Sequence, residues 1–299
     1  MGGGIKMAIA PGHILGEKIG WFFEEMVIDH YKSLLKDQNV YVDYKHERIA
    51  RDSKKLVTWK DVDGNKHDLD VVIERNGSEV NLGTPIAFIE VAWRRYTKHS
   101  KNKVQEISGA VLPIISRYND TAPFYGAVLA GDFTKNAIEQ LKTEGFYIIH
   151  FPINVIFDAF SSEGINIRFV QETDDEDLQS YCDLLNNMSP SNIKNIRQYL
   201  CDHNKDEIAE FDRAILSSIN RRITSVSITA LYGEEKNFDN ITNACYYLST
   251  IESTINSDII MAKIEIKISF SNGDYVNMVF HDKQPAMIKL REFQAFYQQ

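Results

Sequence analysis

The chain has 299 residues, of which 43% are hydrophobic and 25% are charged, as in globular proteins with one large or two ordinary domains. No apolar run approaches the roughly 18 residues that span a membrane, and the N-terminal MGGGIKMAIAPG lacks the apolar region of a secretory signal, so the sequence predicts neither membrane insertion nor secretion. The net charge of −9 counts against a general affinity for nucleic acid.

The charge is unevenly distributed along the chain. Residues 1–152 hold 20 Lys and Arg against 20 Asp and Glu, whereas residues 153–299 hold 13 against 22. Within the neutral first half, RRYTKHSKNK (residues 94–103) carries five basic residues and no acid. A concentrated basic segment of this kind can bind a phosphate backbone locally.

The three cysteines, Cys182, Cys201 and Cys245, are widely spaced and form no CxxC pair. This usage is typical of free thiols in a reducing cytoplasm, and we expect a cytoplasmic protein. The histidines form no HxxxH or HExxH cluster. Any metal site must therefore use carboxylates.

Helical spacing of apolar residues predicts a first helix over residues 14–36, in which Gly16, Gly20 and Glu24 form a separate row at i, i+4 and i+8. NVYVDYKHERIAR predicts a strand, and the next segment predicts a hairpin that turns at Asp63-Gly64. PIAFIEVAW (residues 85–93) is apolar on both faces, as in a central strand. A helix, a strand, a helix and a strand follow, up to Pro152. This order predicts a three-layer α/β domain over residues 1–152.

The second half, residues 153–299, has a different pattern. It predicts three helices, a strand (ITSVSITALYG), a hairpin that turns at Asn272-Gly273 and a final helix. Because the charge also changes near Pro152, we expect the domain boundary there, with a C-terminal α+β domain after it.

Two carboxylates stand out in the first half. Asp70 ends one predicted strand, and Glu90 lies within the apolar strand that follows. Neighbouring strands lie about 4.8 Å apart, so the two carboxylates can converge on one cation. Asp70 as a simple strand-end residue, and Glu90 in a structural ion pair with Arg94 or a lysine, are the alternatives.

A helix, then an Asp and a Glu-x-Ala on successive strands, then an α/β crossover over about residues 14–152, resembles the PD-(D/E)xK nucleases. The resemblance implies a restriction-endonuclease-like three-layer α/β/α core. It also implies that Asp70 and Glu90 bind magnesium (Mg2+), and that a first-helix carboxylate such as Glu24 approaches the metal.

The chain departs from this pattern at two positions. No proline precedes Asp70, and Ala92 occupies the place of the lysine. The missing cation is predicted to come from Lys103, at the edge of the buried face of the next helix. Arg94 is the alternative, because Glu90, Ala92 and Arg94 alternate onto one side of the strand, but an arginine cannot accept a proton.

The basic run is the predicted DNA-binding segment. Its cations Arg94, Arg95, Lys98 and Lys101 follow directly from the strand that carries Glu90, so they would hold phosphates beside the metal. The alternative is a solvated loop, as most charge runs are.

The resemblance implies a magnesium-dependent endonuclease of type II restriction type, which acts on double-stranded DNA as a homodimer. Two alternatives stay open. One is a catalytically inactive nuclease-fold subunit that binds DNA or protein. The presence of Ala92 where the family has a lysine favours this alternative. The other is a nuclease subunit of a defence system that needs a helicase or methyltransferase partner.

Overall fold

The computed structural model describes residues 10–230, 234–251, 254–256, 259–260 and 263–297. The chain is a mixed α/β protein with two compact units. The first comprises Met1–Ser116 and Phe124–Ile215, and the second comprises Arg117–Pro123 and Leu216–Gln299.

The first unit is built on a five-stranded mixed sheet and a separate hairpin. Its elements in chain order are α1 (Pro11–Leu34), β1 (Val40–Tyr44), β2 (Val57–Lys60), β3 (Lys66–Leu69), β4 (Val71–Arg75), β5 (Thr84–Arg94), α2 (Ser100–Arg117), β6 (Phe124–Gly131), α3 (Lys135–Thr143), β7 (Tyr147–Pro152), α4 (Ile153–Ser162), α5 (Asp175–Asn186), α6 (Pro190–His203) and α7 (Lys205–Ile219). The sheet order is β1-β4-β5-β6-β7, antiparallel from β1 to β5 and parallel from β5 to β7. The hairpin of β2 and β3 turns at Gly64, whose φ of 88° favours glycine.

Helices cover both faces of the five-stranded sheet, as neighbouring residues of β6 show. The ring of Phe124 contacts the ring of Phe211 in α7, with centroids 5.1 Å apart. The hydroxyl of Tyr125 donates to the carbonyl of Glu144, at the end of α3, over 3.1 Å. Adjacent residues of a strand point to opposite faces, so Phe124 and Tyr125 mark the two sides of the sheet. We call the side with α1, α4 and α7 the α1 face, and the side with α2 and α3 the α2 face.

The predicted boundary at Pro152 is wrong. The Phe22 ring of α1 contacts the Phe160 ring of α4 with centroids 5.4 Å apart, and α5 packs along α1. The helices of residues 153–215 therefore complete the α1 face of the first sheet with their apolar sides. The acidic residues of these helices cause the change in net charge near Pro152. That change marks an acidic surface of the first unit and not a domain boundary.

The second unit contains a four-stranded antiparallel sheet in the order β13-β12-β8-β9, and a two-stranded one of β10 and β11. Its elements are β8 (Ile223–Ala230), β9 (Glu235–Phe238), α8 (Ile241–Thr250), β10 (Thr254–Asn256), β11 (Ile259–Ile260), β12 (Ile264–Phe270), β13 (Tyr275–Phe280) and α9 (Lys283–Tyr297). Alternate residues of β8 and β12 pack with α8 and α9 in one apolar core. The predicted α+β character is found here, and the hairpin turns at Gly273 as predicted.

Some predicted segments reach beyond the described residues. They are the N-terminal residues 1–9, the end of ITSVSITALYG at 231–233 and the first two residues of the last hairpin, 261–262. Among the helices of the described residues, none is long and apolar enough to cross a membrane.

Candidate functional site

The pairing of three adjacent strands aligns Lys45, Asp70 and Glu90. Strand β4 pairs with β5 through Val71 and Ile89, and continuing this antiparallel register by one residue sets Asp70 opposite Glu90. Strand β1 pairs with β4 through Tyr44 and Val71, so the same step sets Lys45 opposite Asp70. Residues paired across strands point to the same face. Tyr44, Val71 and Ile89 point to the α1 face. The next residue along each chain points to the opposite side, so the row of Lys45, Asp70 and Glu90 lies on the α2 face.

Asp70 and Glu90 are joined through backbone groups. The amide of Val91 donates to Oδ2 of Asp70 over 2.7 Å, and the amide of Asp70 points to Oε1 of Glu90 at 3.4 Å. Asp70 is half-buried, and Glu90 is 7% exposed. The two carboxylates that the sequence predicted to converge are thus neighbours at the start of β4 and the middle of β5.

Both carboxyl groups have a raised pKa. Burial is the main cause for each, and the charge of Asp70 adds to the effect at Glu90, whose pKa rises to about 8. The amide of Val91 and the ammonium groups of Lys103 and Lys45 act in the opposite direction on Asp70. The rise in pKa that burial and the neighbouring like charge cause therefore exceeds the fall that the nearby cations cause. Such a pair gains free energy from a bound cation.

The charge of Glu24 in α1 interacts with that of Asp70. Burial raises its pKa, and the charge of Asp70 raises it further, while Lys45 and Lys103 lower it. The approach of Glu24 to a metal, which the resemblance implied, stays a prediction. Lys45 was missed in the sequence, because it follows β1, some 25 residues before Asp70, and only the β1–β4 pairing brings it there.

The two candidate cations contact the same carboxylate. The Nζ atom of Lys103 and the Nη2 atom of Arg94 each lie 3.4 Å from Oε2 of Glu106 in α2. Arg94 therefore pairs with Glu106 and not with Glu90, which removes the Arg94 ion pair as an explanation of the buried Glu90. Of the two, Lys103 is the one whose charge acts on both Asp70 and Glu90.

The basic run does not form one surface. Lys98 and Lys101 are exposed, and neither forms an ion pair with a described residue. Arg95 turns to the α1 face, where its guanidinium lies 4.5 Å from the ring centroid of Tyr96 and 5.8 Å from that of Phe169. A Cβ at Gly12 would be 2.5 Å from its Nη1 atom. Arg95 thus packs against α1, and the expectation that it joins Arg94, Lys98 and Lys101 at the carboxylates is not met.

The donor set suits a hard divalent cation. Magnesium binds through one or two carboxylates and keeps several waters, and Asp70 and Glu90 are two oxygen donors on adjacent strands. Within the described part of the chain, no group of three or more His, Cys, Asp or Glu side chains is close enough to hold a metal. A site here would be completed by water and substrate oxygens.

Comparison with known proteins adds little. No family model matches the chain, and no curated protein is significantly similar to it. Among solved structures, the chain matches the crystal structure of a protein of unknown function, AF1548, with 14% identity over 64% of this chain and 99% of that chain. The TM-score of this match is 0.28, at which it carries no conclusion about fold or function.

Proposed function

We propose that this chain is a magnesium-dependent endonuclease that hydrolyses phosphodiester bonds of double-stranded DNA, with a restriction-endonuclease-like core formed by the first unit. The observation that supports the proposal best is the alignment of Asp70 and Glu90 across β4 and β5, with Glu90 buried and without an ion-pair partner among the described residues. Two carboxylates with a purely structural role would need a cationic side chain as partner, or would stay protonated at a cost in free energy. Two carboxylates that bind a metal ion need no such side chain.

In this proposal Asp70 and Glu90 would hold the Mg2+ ion, which when bound would supply stabilisation of the negative charge that develops on the phosphate. Lys103 approaches from the α2 face, where its ammonium stabilises the same charge and takes the place left by Ala92. Glu106 holds this ammonium before substrate binds. Lys98, just before α2, and Lys101, in its first turn, are exposed and contact phosphates farther along the backbone.

The test is cleavage of plasmid DNA by the purified protein in magnesium, with EDTA as the control. We expect Asp70→Asn and Glu90→Gln to lower cleavage by at least about a hundredfold and to leave DNA binding in the absence of metal nearly unchanged, because each removes a metal ligand. Lys103→Met should keep calcium binding and fold, since its stem still packs, while turnover falls by about two orders of magnitude.

Two controls decide between the models. Arg94→Met should cleave at a near wild-type rate; if it loses turnover and Lys103→Met does not, the arginine has the role. Cleavage by Asp70→Asn at the wild-type rate would remove the metal assignment altogether.

Ala92 also supports a second function, an inactive nuclease-fold subunit that binds DNA or protein. A wild-type protein that binds DNA but does not cut it in magnesium would establish that alternative. The homodimer and the methyltransferase or other defence partner stay predictions from the resemblance. Sedimentation of the pure protein and co-purification test them.

A further inference from the structure

The strand pairing assigns Lys45 a position that no motif predicts. It is the first residue after β1, and the β1–β4 register continued by one residue sets it opposite Asp70. Lys45 is exposed, and it forms no ion pair with a described residue. An ammonium beside an acidic pair, without an ion pair to any described residue, is available to a ligand.

The backbone on both sides of Lys45 is held rigidly. Nη2 of the buried Arg51 donates to the carbonyls of Tyr44 and His46, over 3.1 Å and 2.9 Å. The same atom contacts Oδ1 of the buried Asp43 at 3.1 Å. The residues before and after Lys45 are therefore fixed by one guanidinium, although they lie outside a regular strand.

The neighbouring side chains fix the direction as well. The Tyr44 ring has the ammonium of Lys32 in α1 at 3.8 Å from its centroid, and the ring of His46 stacks on it at 4.3 Å. Tyr44 therefore points to the α1 face. The stacked rings of Tyr44 and His46 lie on one side of the chain, so Lys45 between them points to the other side, the α2 face, where Asp70 and Glu90 lie.

Lys45 and Lys103 then flank the carboxylates from two sides. Lys45 comes from the β1 side of the row, and Lys103 comes from α2, the helix that follows β5. Both cations act on the charges of Asp70 and of Glu24. A metal held by Asp70 and Glu90 would have a cationic side chain on each side of the acid pair, and two such cations could each bind a phosphate of a polyanionic strand.

We propose that Lys45 is a substrate-binding residue that contacts a non-bridging phosphate oxygen of the DNA strand at this site, opposite Lys103. The assignment rests on the proposed function, since it takes a phosphodiester backbone as the ligand. Its ammonium binds the phosphate and does not coordinate the metal. It therefore adds to the affinity for DNA while it repels a free divalent cation.

Two measurements on the full-length protein test this role, and Lys45→Met should change them in opposite directions: weaker binding of DNA and tighter binding of calcium. The first is the affinity for a short DNA duplex in calcium, measured by fluorescence anisotropy at several salt concentrations. Loss of one phosphate contact lowers the slope of log affinity against log salt by about 0.9. We expect Lys45→Met to lower the slope by about this amount and to weaken binding at least threefold at low salt.

The second measurement is calcium binding without DNA, by isothermal titration calorimetry. Because the ammonium lies beside the carboxylates, we expect Lys45→Met to bind calcium at least twofold more tightly than the wild type. A variant that only disturbed the site would bind both ligands more weakly. Lys45→Arg keeps the charge and should behave as the wild type in both measurements.

The matched control is Lys55→Met. Lys55 lies in the same connection between β1 and β2 and is 66% exposed, but its ammonium pairs with Glu47 at 3.4 Å. It should leave both measurements unchanged. An equal change in Lys45→Met and Lys55→Met would show a general charge effect and overturn the assignment.

The outcome is separable from that of the proposed function. If Asp70→Asn abolishes magnesium-dependent cleavage but Lys45→Met retains wild-type DNA affinity and salt slope, the nuclease proposal stands and the role of Lys45 falls. If Lys45→Met shows both expected changes and the wild type does not cut DNA, the chain binds DNA at this site without cleaving it. A wild type that binds no duplex overturns both.

Discussion

At the scale of single residues, the site is defined by an electrostatic conflict. Glu90 lies in the interior of β5 beside Asp70, and neither has a cation at ion-pair distance among the described residues. The charge of Lys103 acts on both carboxylates, and that of Lys45 acts on Asp70. A metal-free protein resolves such a conflict by protonation, and a bound divalent cation resolves it without a proton.

This conflict predicts a pH dependence of stability. The pKa of Glu90 is raised from 4.5 to about 8, so between these values the folded protein holds a proton that the unfolded chain releases. The contribution to stability is complete below pH 4.5 and is lost as the pH rises to about 8. We expect Glu90→Gln, which carries no charge at any pH, to have a Tm several degrees above that of the wild type at pH 8 in EDTA, and a smaller difference at pH 5.

Thermal unfolding between pH 5 and pH 9 measures this effect. Glu47→Gln, at an exposed carboxylate, is the control and should follow the wild type. Saturating calcium at pH 8 should raise the Tm of the wild type and leave that of Glu90→Gln nearly unchanged. A Tm difference between wild type and Glu90→Gln that does not vary with pH would show that Glu90 titrates normally.

At the scale of elements, close packing between β6 and α7 shows why residues 153–215 belong to the first unit. A Cβ at Gly126 would lie 2.5 Å and 2.6 Å from two ring atoms of Phe211 and 2.9 Å from the carbonyl oxygen of Tyr147. Glycine at this position of β6 lets the buried Phe211 ring lie against the strand. The helix is thus part of the core of the unit.

We therefore expect Gly126→Ala to destabilise the protein by about 1–3 kcal/mol, as overpacking of a core does. Gly109→Ala is the matched control, because Gly109 is exposed in α2 and a Cβ there meets nothing within 4 Å. It should be neutral or stabilising by up to about 1 kcal/mol. Urea unfolding measures both, and equal stabilities of the two variants would contradict the packing of α7 on β6.

The same scale explains two differences from the predicted elements. The segment after Tyr44 is not strand, because Arg48 and Arg51 turn it inward; Nη1 of Arg48 contacts Glu74 at 2.7 Å and Asp43 at 2.8 Å. Helix α4 was not predicted, because INVIFDAFSS directly follows a strand and Pro152, and a short apolar run suits either a helix or a buried strand. In both cases contacts distant in sequence decide the local structure.

At the scale of the whole molecule, the charge distribution follows the units. Residues 153–215 hold 5 Lys and Arg against 13 Asp and Glu, while residues 216–299 hold 8 against 9. The acidic excess therefore belongs to the helical layer of the first unit. Residues 117–123 are tied into the second unit by the buried Arg221, whose Nη1 donates to the carbonyl of Ala122 over 2.7 Å and contacts Asp274 at 2.8 Å.

The division into two units predicts which truncated fragments of the chain can fold. A fragment ending at residue 152 lacks α4 to α7 and exposes the rings of Phe22 and Phe124, which pack on Phe160 and Phe211. We expect it to aggregate or to bind a hydrophobic dye, and to unfold without cooperativity. A fragment ending at residue 219 should unfold cooperatively in urea. Cooperative unfolding of the shorter fragment would restore the boundary at Pro152.

The sequence by itself determined the local structure and the identity of the acid pair. Period 3.6 and period 2 patterns predict α1, β5, α2, β6, α3 and β7, since these depend on residues close in the chain. Asp70 and Glu90 could be found because their strands are consecutive and pair directly, so sequence order and spatial order agree. The glycines at 64 and 273 mark their turns for the same local reason.

Only the tertiary structure decided which distant residues join the pair and where the units divide. The pairing of β1 with β4 sets Lys45 opposite Asp70, and Arg95 lies apart from the rest of the basic run because it packs against α1. Helix α7 belongs to the first unit because Phe211 fits over Gly126. Each of these depends on a packing partner far along the chain, and a sequence pattern records how apolar a face is but not which surface will cover it.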